Sequence, residues 1–167
     1  GLLYGQLAKG LVVYAETSYG VKLNIEQARQ IRQKFFDEYK HLREWHSQAH
    51  KDASSNCEVL STKFGRKRWL PMEGDVRWQR FTTLLNAPVQ GGAADVIKTA
   101  IIALQAKLPE GAGLVSTVHD ELIVEAPLKN VEAIKKLMED IMIESAASLY
   151  PTVPFEVEAH ICEDWSE

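Results

Sequence analysis

The sequence predicts an α+β fold, with long helices packed with a small antiparallel sheet. Three observations predict it. Apolar residues recur at three- and four-residue spacing over three long stretches. Two short apolar runs flank the dipeptide His119-Asp120 like the arms of a hairpin. Pro151 and Pro154 then close the last helical stretch ahead of an alternating segment, Phe155-Glu156-Val157-Glu158-Ala159. With 167 residues the chain is long enough for one domain with a real core.

Residues 6–16 read as a short helix with Leu7, Leu11, Val12 and Tyr14 apolar, ended by Tyr19-Gly20. Asn24 followed by Gln27 forms the pattern of a capping box. From Ile25, the positions Ala28, Ile31, Phe35, Tyr39, Leu42 and Trp45 make one amphipathic stripe, so one long helix is expected over 25–51. Residues 57–71 read as a hairpin that turns near Phe64-Gly65, with a basic second arm, Arg66-Lys67-Arg68. Glu73 to Asp75 read as a loop. A helix resumes near Val76 and reaches about Asn86, where Pro88 permits a kink or a new start. Gly91 and Gly92 weaken the next turn. Ala93, Val96, Ile97, Ala100, Ile101 and Leu104 carry the stripe on to about Leu108.

Pro109 to Gly113 read as a turn. Leu114–Val118 and Leu122–Ala126 read as antiparallel strands joined at His119-Asp120. Lys129–Tyr150 is the third long helix, with Val131, Ile134, Leu137, Ile141 and Leu149 apolar. The alternating residues 155–159 read as a half-buried strand beside that hairpin.

The formal net charge of −4 conceals an asymmetry. Residues 1–109 carry 16 Lys or Arg against 10 Asp or Glu, whereas residues 110–167 carry 3 against 13. Such a division suits a polyanion held on one side and cations on the other. It equally suits a solvated basic face and a solvated acidic helix. Cys57 and Cys162 are too few for a disulfide framework or a zinc site, and a reducing, intracellular setting is expected. No apolar run reaches the roughly 20 residues that span a bilayer, so no membrane partner is expected. The opening Gly1-Leu2-Leu3-Tyr4-Gly5-Gln6 has no Met and no polar lead-in. It suggests a chain cut from something longer, or one that works beside a separate piece.

The turn His119-Asp120-Glu121 sets an imidazole and two carboxylates between apolar runs. A carboxylate past a sheet edge is the hard oxygen donor that Mg²⁺ prefers. Glu121 points to the other side in strand geometry, so it is a weaker second donor. His119 can donate to a phosphate or sugar oxygen. An ordinary Asx turn with an exposed salt bridge fits the same residues. Asn86 and Gln90 can donate to the minor-groove acceptors common to all base pairs. A polar helix cap at a tight helix crossing fits them as well.

Four motifs occur in order: Gly1-Leu2-Leu3-Tyr4-Gly5-Gln6; Thr62-x-x-Gly65-Arg66-Lys67-Arg68; Asn86-Ala87-Pro88-Val89-Gln90-Gly91-x-Ala93-Ala94-Asp95; and Val118-His119-Asp120-Glu121-Leu122. Together they resemble the C-terminal part of a family A DNA polymerase, the bacterial polymerase I type shared with phages. The resemblance extends to Val153–Val157 and Trp165. It implies partial fingers (1–108) and partial palm (109–167), in a protein of the bacterial or phage-infected cytoplasm. It implies primer-template DNA, deoxynucleoside triphosphates and two Mg²⁺ ions as partners.

By the same resemblance Asp120 binds metal, Glu121 is its less critical neighbour, and His119 lies near the primer terminus. Tyr4 meets the incoming nucleotide or template base, and Gly5 leaves room for the template. Asn86 and Gln90 check the minor groove, and Arg66, Lys67 and Arg68 lie near the duplex backbone. Thr82 stands where an Arg is usual, with Arg80 as a nearby substitute, and Thr117 stands where a Gln is usual. These departures suggest a divergent member, phage-like or metagenomic. The family's triphosphate-gripping Lys and Arg and its other metal aspartate have no counterpart in the chain. The expectation is therefore a fragment, inactive alone, that needs an N-terminal part. The alternatives are a non-catalytic DNA-binding module and one half of a split polymerase.

Overall fold

Asn24 opens its helix as its residue type dictates. Its side chain accepts from the Gln27 amide at 2.8 Å, and the Gln27 side chain accepts from the Asn24 amide at 2.9 Å. Two otherwise orphaned donors are satisfied by this box. The computed structural model describes residues 1–55, 59–61, 63–70 and 77–164. The expectations that rest on Cys57, Thr62, Pro71, Glu73–Asp75, Val76 and Trp165 lie outside the described residues.

The described elements are a 3₁₀ turn (Leu2–Tyr4), α1 (Ala8–Tyr19), α2 (Ile25–Glu38), α3 (Lys40–Ala53), β1 (Val59–Ser61), β2 (Lys67–Trp69), α4 (Arg77–Lys107), β3 (Gly113–Val118), β4 (Glu121–Glu125), a second 3₁₀ turn (Leu128–Asn130) and α5 (Val131–Leu149). The architecture is α+β, with two separate antiparallel pairs, β1-β2 and β3-β4. The chain divides into two compact units, Gly1–Gln90 and Gly91–Glu167.

In the first unit, the single helix expected over 25–51 is two helices. Tyr39 leaves the helical region at φ −99°, ψ 72°. A straight helix would set residues ten apart at about 15 Å. The Phe36 and His46 rings nevertheless meet with centroids 4.9 Å apart. The break is what lets these two rings face each other. Asp37 and Arg43 pair across it. That guanidinium, hydrogen-bonded to Asp37, holds its carboxyl below the usual carboxylate range, and Gln33 adds a second donor. The core of this unit is Ala49, Ala53, Leu70, Phe81, Leu84 and Leu85, with Trp45 and Leu60 against it. Helix α1 begins two residues later than expected and continues to Tyr19, where Gly20 caps it in the left-handed region.

Helix α4 does not break at Pro88. Proline there has no amide to offer the Leu84 carbonyl, but its fixed φ is helical, so the backbone continues.

The second unit is built on Ala100, Leu104, Leu122 and Ile141, with Ile97, Ile101, Leu114, Val124, Leu137 and Met138 packed around them. Burying each Leu or Ile side chain contributes about 1.5–3 kcal/mol. Strand β3 pairs with β4 from Gly113↔Glu125 to Val118↔Glu121, with a register shift between Leu114 and Ser116. Residues 155–159 do not pair as the expected third strand. Their exposure still alternates, with Phe155, Val157 and Ala159 half-buried. The Ala159 amide donates to Glu139 Oε1 at 3.3 Å, so the segment is tied to α5 by a side chain.

Candidate functional site

In the second unit, the pairing of Val118 with Glu121 leaves His119 and Asp120 as a two-residue turn. Such turns need a left-handed backbone. His119 supplies it at φ 53° and is the one non-glycine residue with positive φ among the described residues. That conformation costs about 1–2 kcal/mol for a side chain other than glycine. His119, Asp120 and Glu121 are all exposed. Asp120 is therefore an open carboxylate at a hairpin tip, the donor type that suits Mg²⁺. Among the described residues, no group of three or more His, Cys, Asp or Glu side chains is arranged to hold a metal ion. The turn fits Mg²⁺ in kind of donor and supplies only part of a coordination shell.

Gly92, expected to weaken its helical turn, is buried in this unit within α4. A β-carbon on it would collide with the Tyr150 hydroxyl. Packing against Tyr150 accounts for this glycine.

In the first unit, Tyr4 ends the 3₁₀ turn with its side chain partly exposed. Gly5 follows at φ 92° and is buried. A β-carbon on Gly5 would lie 2.7 Å from Phe81 Cε1 and 3.3 Å from Leu85 Cδ1. Gly5 thus touches the residue preceding Asn86, and two of the sequence motifs meet on α4. Asn86 is half-buried and Gln90 exposed. Four residues apart, they share one helix face. Lys67 and Arg68 are exposed, and Arg66 is half-buried. Alternation sets Lys67 and Trp69 on one face of β2 and Arg68 on the other.

Arg80, expected as a duplex contact in place of the usual Arg, is 5% exposed and donates through Nη2 to the Ser55 carbonyl at 2.8 Å. That bond ties α4 to the residues just after α3. Thr82 bonds back to the Trp78 and Gln79 carbonyls at 3.1 Å.

Sequence reasoning passed over His46. Its Nε2 lies 2.8 Å from the Leu3 carbonyl oxygen. A histidine inside the apolar stripe Leu42, Trp45, Ala49 was the available signal.

The model of DNA polymerase family A matches residues 1–167. This chain belongs to DNA polymerase family A. Among its family A relatives, DNA polymerase I of Aquifex aeolicus is 35% identical over 171 residues, covering 100% of this chain and 28% of that protein. The thermostable DNA polymerase I of Thermus aquaticus is also 35% identical, covering 99% of this chain and 19% of that protein. The chain thus spans less than a third of these relatives. A solved structure of the POL domain of Pol1 from M. smegmatis, in complex with DNA primer-template and dNTP, is 28% identical with a TM-score of 0.73. That match covers 87% of this chain and 26% of the solved one. Among the described residues, no helix is long and apolar enough to cross a membrane.

Proposed function

We propose that this chain is part of a DNA-directed DNA polymerase that adds deoxynucleotides to a primer 3′ end. The observation that carries it is the match of the family A model to all 167 residues, with Asp120 exposed at its hairpin tip. Residues 1–108 belong to the fingers and 109–167 to the palm. Asp120 would hold the metal, with Glu121 as the weaker neighbouring carboxylate. Bound Mg²⁺ supplies Lewis-acid stabilisation of the phosphoryl oxygens. His119 positions the primer end by donating to a phosphate or sugar oxygen. Tyr4 packs on the incoming nucleotide or template base, and Gly5 keeps the backbone beside it low. Asn86 and Gln90, on one face of α4, read the minor groove without base preference. Arg66, Lys67 and Arg68 contact phosphates and set position rather than sequence. Because the turn supplies only part of a metal shell, the 167-residue chain alone does not extend primers.

The test is primer extension with Mg²⁺ and four deoxynucleoside triphosphates. It compares the chain alone with the chain fused behind the preceding polymerase segment of a family A relative. Extension by the fusion, and none by the chain alone, is expected. A fusion that binds primer-template DNA without extending it overturns the proposal and leaves a non-catalytic DNA-binding module.

A further inference from the structure

His46 is 5% exposed, an unusual place for an ionisable ring. Aromatic rings surround it. The centroid of Phe36 lies at 4.9 Å, that of Phe81 at 5.8 Å and that of Trp45 at 5.9 Å, each in an edge-on arrangement. Its Nε2 faces the Leu3 carbonyl oxygen at 2.8 Å. A carbonyl only accepts, so Nε2 must carry the proton. Among the described residues, its buried Nδ1 has no hydrogen-bond partner. In the neutral ring that nitrogen is a bare lone pair, so the tautomer is fixed by the single bond to Leu3.

The carbonyl that it holds lies in the turn that ends at a left-handed glycine. Leu3 precedes Tyr4, and the next residue is Gly5 in the left-handed region at φ 92°. The turn is otherwise closed by few bonds, from the Tyr4 and Gln6 amides to the Gly1 carbonyl and from the Gly5 amide to the Leu2 carbonyl. On its other side Gly5 meets Phe81, the same ring that His46 touches. His50 stacks on that ring at 3.7 Å.

We propose that His46 is a positioning residue for the Tyr4–Gly5 turn: its Nε2–H fixes the Leu3 carbonyl, and its ring braces the Phe81 side chain on which Gly5 rests. The role deepens the reading of Tyr4 as a contact for the incoming nucleotide or template base, and rests on it for its functional meaning. His46 acts through Tyr4 and touches no substrate itself.

Two measurements on the full chain test the role. Imidazole ¹⁵N spectra of the wild-type chain should show His46 as the Nε2–H tautomer at neutral pH; an Nδ1–H tautomer overturns the proposal without any variant. Amide hydrogen exchange then compares His46→Leu, which keeps apolar volume, with His46→Gln, which keeps a donor. The leucine variant should speed exchange at Gly5 and Gln6 by about tenfold, the worth of one lost hydrogen bond. Helix α3 should be unaffected, and the glutamine variant should restore slow exchange. Unchanged exchange at Gly5 and Gln6, or equal acceleration along α3, overturns the role. Nucleotide selection by a Tyr4→Ala fusion polymerase is a separate arm. If selection is unaltered there while His46→Leu still loosens the turn, the positioning role stands and the nucleotide contact of Tyr4 fails.

Discussion

Gly5 rests directly on Phe81: a β-carbon added to Gly5 would lie 2.7 Å from the Phe81 ring, at a backbone φ of 92°. Two penalties therefore coincide at one atom. A left-handed backbone costs a non-glycine residue about 1–2 kcal/mol, and overpacking a core adds about 1–3 kcal/mol. Phe81 has little room to yield, being 1% exposed with His50 stacked on it. Gly5→Ala should destabilise the chain by about 2–5 kcal/mol, read as a lower denaturant midpoint. A loss below about 0.5 kcal/mol, the scale of ordinary surface substitutions, would show that the turn moves freely off Phe81.

Burial pushes the His46 imidazole below its usual value of 6.5. The Leu3 hydrogen bond works against that shift, while Arg32 and His50 reinforce it. The unfolded chain then binds a proton that the folded chain resists. Stability is fully present above pH 6.5 and declines as pH falls from there through the depressed folded value. His46→Gln cannot titrate, so it should flatten this part of the stability profile. Chemical denaturation of both chains from about pH 5 to 8 checks it, because that window holds the histidine titrations. Parallel profiles would assign the acid sensitivity to other groups.

The elements were legible where one local signal decides them. Asn24 and Gln27 sit three apart at a helix start, and they close the capping box. Ala100, Leu104, Ile134 and Ile141 recur at helical spacing, and all are buried. The dipeptide His119-Asp120 stood between two apolar runs, and it is the turn. Illegible features depended on distant partners. Periodicity continues through Tyr39 because the stripe serves both helices, while the break shows only in the contact of Phe36 with His46, ten residues on. Residues 155–159 alternate as a strand would, yet alternation does not specify a neighbour to pair with. Arg80 reads as a surface cation, yet it is buried and donates to the Ser55 carbonyl, 25 positions away. At the site, motif order pointed to Asp120 and Tyr4, whereas the support behind Tyr4 required the contact of His46 with a residue 43 positions away.

The basic arm should act through phosphates alone. Lys67 and Arg68 are exposed, and β2 turns them to opposite faces. Each neutralised phosphate contributes about −0.9 to the slope of log affinity against log salt. Replacing Arg66, Lys67 and Arg68 together with Ala should weaken duplex binding for every sequence and make that slope shallower by about 2–3. Fluorescence anisotropy with two unrelated duplexes across a salt series measures both. A loss confined to one sequence, or an unchanged slope, would remove the arm from the DNA path.

Asp120 gives the sharpest separation between fold and chemistry. Its side chain is exposed at the tip of the hairpin, so folding does not depend on it. Asp120→Asn keeps the size and the turn-forming character and removes only the charge. Stability should change by less than about 0.5 kcal/mol, as for other exposed sites. Extension by a fused polymerase should fall at least about a hundredfold, because metal stabilisation of a phosphoryl transfer is worth several kcal/mol. Glu121 is a different case. It opens β4 opposite Val118, and alternation turns its side chain away from that of the next residue, buried Leu122. Glu121→Gln should therefore reduce extension less than Asp120→Asn, and raising Mg²⁺ should recover more of it. Rate measurements over a Mg²⁺ series rank the two. Equal losses would make the carboxylates equivalent ligands, and a larger loss at Glu121 would transfer the metal role to β4.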